Sequence, residues 1–180
     1  AAGGVKLSNY FVNPVCSPTR ASLLSGRSMM HHGIQTPFKA GDAASGLNLS
    51  YTILPEQLEK IGYKTMMVGK WHVGMKSPEY LPSSRSFHRY FGYYNGANDY
   101  WKHYSADWKN TSALDLHKGG VDLGIPAGKD IPLYNTSGQY STFQYAEVAS
   151  EWIREHDPEE PMFMYVAMQS AHSANNDYIQ

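Results

Sequence analysis

Residues 161–168, Pro161-Met162-Phe163-Met164-Tyr165-Val166-Ala167-Met168, are an unbroken apolar run, and a helical pattern over residues 139–156 leads into it. A run of this length after a helix predicts a strand buried on both faces of a parallel sheet. Parallel strands need crossover connections, so this stretch commits the chain to helices packed on a sheet. The expected helix buries Tyr145, Ala146, Ala149, Trp152 and Ile153 and sets Arg154 and His156 near its carboxyl end, where the helix dipole favours cations. Pro158 ends it.

The rest of the chain agrees. Residues 5–12 alternate apolar and polar at first, are rich in β-formers and predict a strand. Ser17 as N-cap and Pro18 in the first turn predict a helix through Leu24, closed by Gly26 in the left-handed conformation. Residues 54–62 place Pro55 early, acids next, Lys60 late and Gly62 last, the order of a capped helix, and residues 63–68 follow as a strand. Residues 31–50 and 105–138 read as irregular, the second with short edge strands. The aromatics between Tyr80 and Tyr104 suit packing beneath loops or, alternatively, a sugar-stacking platform. The order strand, helix, helix, strand, helix, strand is α/β, with a mostly parallel sheet flanked by helices.

Composition excludes several functions. In 180 residues, 42% are apolar and 17% charged, enough to bury a core, and a net charge of −1 argues against nucleic acid or an anionic membrane as partner. No apolar run is long enough to span a bilayer. Cys16 is the only cysteine, which excludes an internal disulfide framework. Asn48, Asn110 and Asn135 each open an N-glycosylation tripeptide and lean toward a lysosomal or secreted protein. The chain starts without Met and ends abruptly, the expected look of a piece of something longer.

Two stretches carry chemistry. The predicted helix start puts Cys16 at the positive end of the helix dipole, and Arg20, one turn on, can fold back toward it. A lone cysteine is ordinarily a small buried hydrophobe. Here it faces an anion-binding helix end with a cation beside it. The Cys to Arg gap is too short for a tyrosine-phosphatase loop. In Gly69-Lys70-Trp71-His72-Val73-Gly74, an extended backbone sends Lys70 and His72 to one face and Trp71 to the other. His172 follows the buried run, so all three motifs are expected at the carboxyl edge of the sheet, where open α/β sheets bind ligands.

Cys16-Ser17-Pro18-Thr19-Arg20 with Leu23-Leu24-Ser25-Gly26-Arg27 resembles the type I sulfatase signature, in which Cys-x-Pro-x-Arg and a downstream Leu-x-Gly-Arg direct oxidation of the cysteine to formylglycine. Residues 62–74 resemble the second sulfatase signature. With residues 90–93 and 161–172, the chain is most similar to the arylsulfatase B (N-acetylgalactosamine-4-sulfatase) branch. This resemblance implies an alkaline-phosphatase-like fold, with residues 1–180 a partial N-terminal catalytic domain lacking its start and its C-terminal part.

It also implies hydrolysis of sulfate monoesters on glycosaminoglycan-type sugars, or of aryl sulfates, through a formylglycine hydrate nucleophile and a sulfated-enzyme intermediate. By resemblance, Cys16 becomes formylglycine through a formylglycine-generating enzyme and, once modified, ligates Ca2+. Arg20 holds the hydrate, Lys70 binds sulfate and hydrate, His72 helps regenerate the aldehyde, and His172 contacts the sulfate and protonates the leaving alcohol. The other calcium ligands are expected from an Asp pair upstream and an Asp-Asn pair downstream. Asp42, Asp99 and Asp122 lie in no matching motif. The piece alone is expected to be inactive. Alternatives are a phosphonate or phosphodiester hydrolase of the same superfamily and a non-catalytic, truncated glycan-binding relative; a bacterial source would place the protein in the periplasm.

Overall fold

A computed structural model describes residues 3–38, 46–106 and 112–172. Its central strand is β1 (Lys64–Lys70), which pairs in parallel with β2 (Arg89–Tyr93) on one side and with β7 (Met162–Ala167) on the other. β5 (His117–Gly119) runs antiparallel to β2, and β6 (Ile131–Pro132) antiparallel to β5, giving the order β6-β5-β2-β1-β7. Only β5 is reversed among the five strands. β3 (Tyr104–Ala106) and β4 (Ser112–Leu114) form a separate two-stranded ladder.

Strand periodicity sorts the core into two faces. Met67 and Trp71, with Phe163 and Tyr165 from β7, pack beneath Ala21 and Leu24 of α1 (Cys16–Ser25) and beneath Ile53, which precedes α3 (Leu54–Glu59). Met66 and Val68, with Met162 and Met164, face Tyr145, Ala149 and Trp152 of α4 (Ser141–Glu155). α1 ends as its sequence dictates: Gly26 is left-handed at φ 65° and its N–H donates to the Ser22 carbonyl at 2.9 Å. At the carboxyl ends of β2, β1 and β7 the backbones approach so closely that only glycine fits. A Cβ on Gly69 would overlap the Ala167 carbonyl, and one on Gly92 the Gly69 carbonyl.

Several sequence expectations give way here. Residues 5–12 form no strand; Val5 is 91% and Phe11 92% exposed. Alternation makes a strand only where a neighbour supplies a ladder, and none does among the described residues. β7 is an edge strand, half-buried rather than sealed on both faces, because only β1 pairs with it among the described residues. On α4, Ala146 and Ile153 flank the packed stripe and are exposed, while Ser141 and Gln144 are buried. Both make side-chain hydrogen bonds there: Ser141 Oγ donates to Gln169 Oε1 at 2.7 Å, and Gln144 Nε2 donates to Gln139 Oε1, while Gln144 Oε1 has no partner among the described residues. The stretch read as irregular from residue 31 begins on a short helix, α2 (Met29–His32).

Candidate active site

The first turn of α1 begins two residues earlier than its expected form. The helix begins at Cys16, with Val15 as N-cap, and Ser17 makes no capping bond; its buried hydroxyl accepts from the Phe38 N–H at 3.1 Å instead. This shift makes Cys16 itself the first helical residue. It is half-buried at the end where unpaired N–H groups and the helix dipole favour an anion.

Arg20, one turn along, reaches across the sheet edge. Its Nη1 donates to the Lys70 carbonyl at 2.6 Å and to the Tyr165 hydroxyl at 3.1 Å, tying α1 to both β1 and β7. Lys70, the last residue of β1, is 1% exposed; its ammonium donates to the Gly96 carbonyl and lies near enough to Cys16 for the two to interact. Burial, partly offset by Cys16 and reinforced by the Arg20 charge, brings Lys70 down to about 8. Among the described residues, no carboxylate pairs with either Arg20 or Lys70.

His72 does not continue the strand as expected. Its backbone is left-handed at φ 54°, so the chain turns at the sheet edge rather than alternating across it. The imidazole is nonetheless brought into the site, 3% exposed, with Nε2 at 2.8 Å from the Phe38 carbonyl. A carbonyl accepts only, so Nε2 carries the proton and Nδ1 the lone pair; Nδ1 is buried and has no partner among the described residues. Burial, with Lys70, Arg20 and His172 adding positive charge, lowers His72 to about 4, against the raising effect of Phe38. It is therefore a neutral base at physiological pH. His172 is exposed at the rim, close enough for its charge to be felt at His72. Tyr100 holds its segment, donating to the His172 carbonyl at 2.8 Å and the Gln169 carbonyl at 3.2 Å.

Cys16, Arg20, Lys70, His72 and His172 thus share one sheet edge, as their motifs require. Gly96, Tyr165 and Tyr100 join them with no signature of their own. An Asn95-Gly96 pair reads as a turn, but nothing local says that it lies over Lys70 and His72. Of the candidate glycan acceptors, Asn48 and Asn135 are exposed and Asn110 lies outside the described residues.

Cys16 fits conversion to an aldehyde hydrate on geometry. Hydroxyls at that Cβ would sit at a helix N-terminus with the Lys70 ammonium already in reach. Calcium does not fit these residues by themselves: no group of three or more His, Cys, Asp or Glu among the described residues could hold a metal ion, and calcium takes six to eight oxygens. No described helix is long and apolar enough to cross a membrane.

The Sulfatase family model matches residues 1–180. Arylsulfatase J of Mus musculus is 36% identical over 173 residues, which are 96% of this chain and 27% of that protein. N-acetylgalactosamine-6-sulfatase of Homo sapiens is 29% identical over 182 residues, with 96% and 34% covered. The chain therefore spans about a third or less of the length of these relatives. Among solved structures, the PsFucS1 sulfatase from Pseudoalteromonas sp. superposes with a TM-score of 0.70 at 21% identity, over 91% of this chain and 36% of that one. Another, Ps i-CgsB, does so with a TM-score of 0.72 at 23% identity, over 89% and 36%. With a match along its whole length and the two signature stretches meeting at one sheet edge, the chain belongs to the sulfatase family.

Proposed function

We propose that this chain carries the anion-gripping half of an enzyme that hydrolyses sulfate monoesters on sulfated sugars, with Cys16 converted to formylglycine. One observation supports this above the others: Arg20 and the buried Lys70 flank Cys16 with no carboxylate partner among the described residues. Uncompensated buried charge is costly, and a site that bears it is built for an anion supplied from outside.

Each side chain has a task set by its environment. Arg20 and Lys70 neutralise the sulfate oxygens as charge moves to the leaving oxygen, and the α1 amides add to them. Arg20 is held in place by β1 and β7, so no reorganisation is needed at the moment of reaction. His72, neutral with a free Nδ1 lone pair, accepts a proton near Cys16. His172, at the rim, protonates the departing alcohol. Formylglycine, when formed, supplies as its hydrate an oxygen nucleophile and a second hydroxyl whose deprotonation releases sulfate. Were calcium bound, Cys16 as formylglycine would be its one ligand among these side chains, and the ion would supply further positive charge beside Arg20 and Lys70.

The sugar is proposed by class only, glycosaminoglycan-type, a reading in keeping with the name of the N-acetylgalactosamine-6-sulfatase relative. The arylsulfatase B branch, the formylglycine-generating enzyme as partner and a lysosomal or secreted location belong to the same proposal. The test is turnover by the full-length protein of matched aryl sulfate and aryl phosphonate esters. A higher kcat/KM for the sulfate is expected; preference for the phosphonate overturns the assignment in favour of the related hydrolases.

A further inference from the structure

The aromatics that follow β1 divide into two groups. Tyr90 and Tyr93 are 0% exposed and belong to the core. Tyr100, Trp101, Tyr140 and Phe143 gather at the surface, where Trp101 is 48% and Phe143 68% exposed. Tyr140 is the hub: its ring lies 5.5 Å from Tyr100 at 21°, 5.2 Å from Trp101, and 5.3 Å from Phe143 at 82°.

The backbone fixes this group in place. Ser141 N–H donates to the Tyr100 carbonyl and Gly138 N–H to the Trp101 carbonyl, both at 2.8 Å. Asp99 Oδ1 accepts the Trp101 N–H at 2.8 Å and the Lys102 N–H as well. The cluster is also continuous with the site. The hydroxyl end of Tyr100 bonds to the His172 carbonyl, while its ring end stacks on Tyr140, so one side chain spans from the candidate acid to the platform.

We propose that Trp101, backed by Tyr140, is a stacking platform for a sugar ring of the substrate next to the sulfated unit. This rests on the sulfate-ester reading above and adds to it a subsite and its occupant. The face of an indole is electron-rich, and sugar C–H groups carry the complementary partial charge while the ring hydroxyls stay in water. Four aromatic rings in contact through Tyr140, two of them about half or more in water, form a contiguous apolar patch of the kind that marks a contact surface. A sugar fits its scale: the patch is four side chains wide, whereas a stable protein interface engages about 20–30 residues a side.

The test uses the full-length enzyme. Trp101→Ala is expected to raise KM for a sulfated tetrasaccharide about tenfold and to leave kcat/KM for a single-ring aryl sulfate within about twofold. Trp101→Phe, which keeps a ring, should restore most of the loss, and its melting temperature should match the parent's. Equal effects on the two substrates, or none on the tetrasaccharide, overturn the platform. If the parent turns over no sulfate ester, the sulfatase reading fails on its own, and calorimetric binding of the unsulfated tetrasaccharide decides the platform. Binding by the parent but not by Trp101→Ala sustains it; equal or absent binding overturns it.

Discussion

Gly96 is the residue on which the catalytic geometry can be probed without touching a charged or titrating group. A methyl group there would lie 2.7 Å from Cε1 and 2.9 Å from Nε2 of His72, closer than real Cβ contacts. The ring is buried and anchored to the Phe38 carbonyl at 2.8 Å, so it can give way only by losing that bond. Gly96 is not among the residues with positive φ, which leaves sterics as the sole effect of Gly96→Ala. Overpacking at such a site costs about 1–3 kcal/mol. The displaced imidazole should lower kcat on an aryl sulfate by about tenfold or more, by analogy with lost general-base catalysis. A double-mutant cycle in the full-length protein separates this from a general loss of fold. In a His72→Ala background the methyl group has room, so Gly96→Ala should change stability there by less than about 0.5 kcal/mol. Additive costs in stability and kcat would refute the contact as the cause.

Further predictions concern proton linkage. Lys70 is lowered from 10.5 to about 8, chiefly by desolvation. Between these values the unfolded chain holds a proton that the folded chain does not, so stability rises with pH across that window. Below pH 8 the folded state bears the full cost, about 3 kcal/mol. Lys70→Met loses about 1 kcal/mol of bonding to Gly96, so the full-length variant should be more stable than the parent by about 2 kcal/mol at pH 6, with the gap closing toward pH 10, while activity collapses. A variant that melts lower than the parent at pH 6 contradicts this. His72, lowered from 6.5 to about 4, contributes stability present above pH 6.5 and lost as pH falls through 4. Its imidazole nitrogen resonances should report a neutral, Nε2-protonated ring at pH 5.5; a titration midpoint at or above 6.5 is the contrary result.

Much of this arrangement is written in local chemistry. Gly26 closes α1, Pro55 and Glu56 open α3, and the apolar run at 162–167 makes β7, because capping and burial act within a few residues. The motifs around Cys16, Lys70 and His172 meet because each lies where α1 begins or a parallel strand ends at one edge. What is not legible depends on partners far along the chain. Residues 5–12 have the pattern of a strand but no ladder among the described residues. His72 leaves the extended conformation and bonds to the Phe38 carbonyl 34 residues away, and Tyr165 meets Arg20 across 145 residues. Trp101 is half-exposed where Tyr93 is buried, a difference set by which distant elements pack on each, since Tyr145 of α4 stacks on Tyr93.

The chemistry stands or falls on the state of Cys16 in the active protein. Peptide mass spectrometry of the full-length enzyme, purified after co-expression with a formylglycine-generating enzyme, reads that state while turnover of an aryl sulfate is followed on the same sample. The expected result is a Cys16 peptide carrying an aldehyde, trapped by a hydrazine, in proportion to activity across preparations, and neither in a Cys16→Ala variant. Full sulfatase activity from protein whose Cys16 is entirely an unmodified thiol would contradict it.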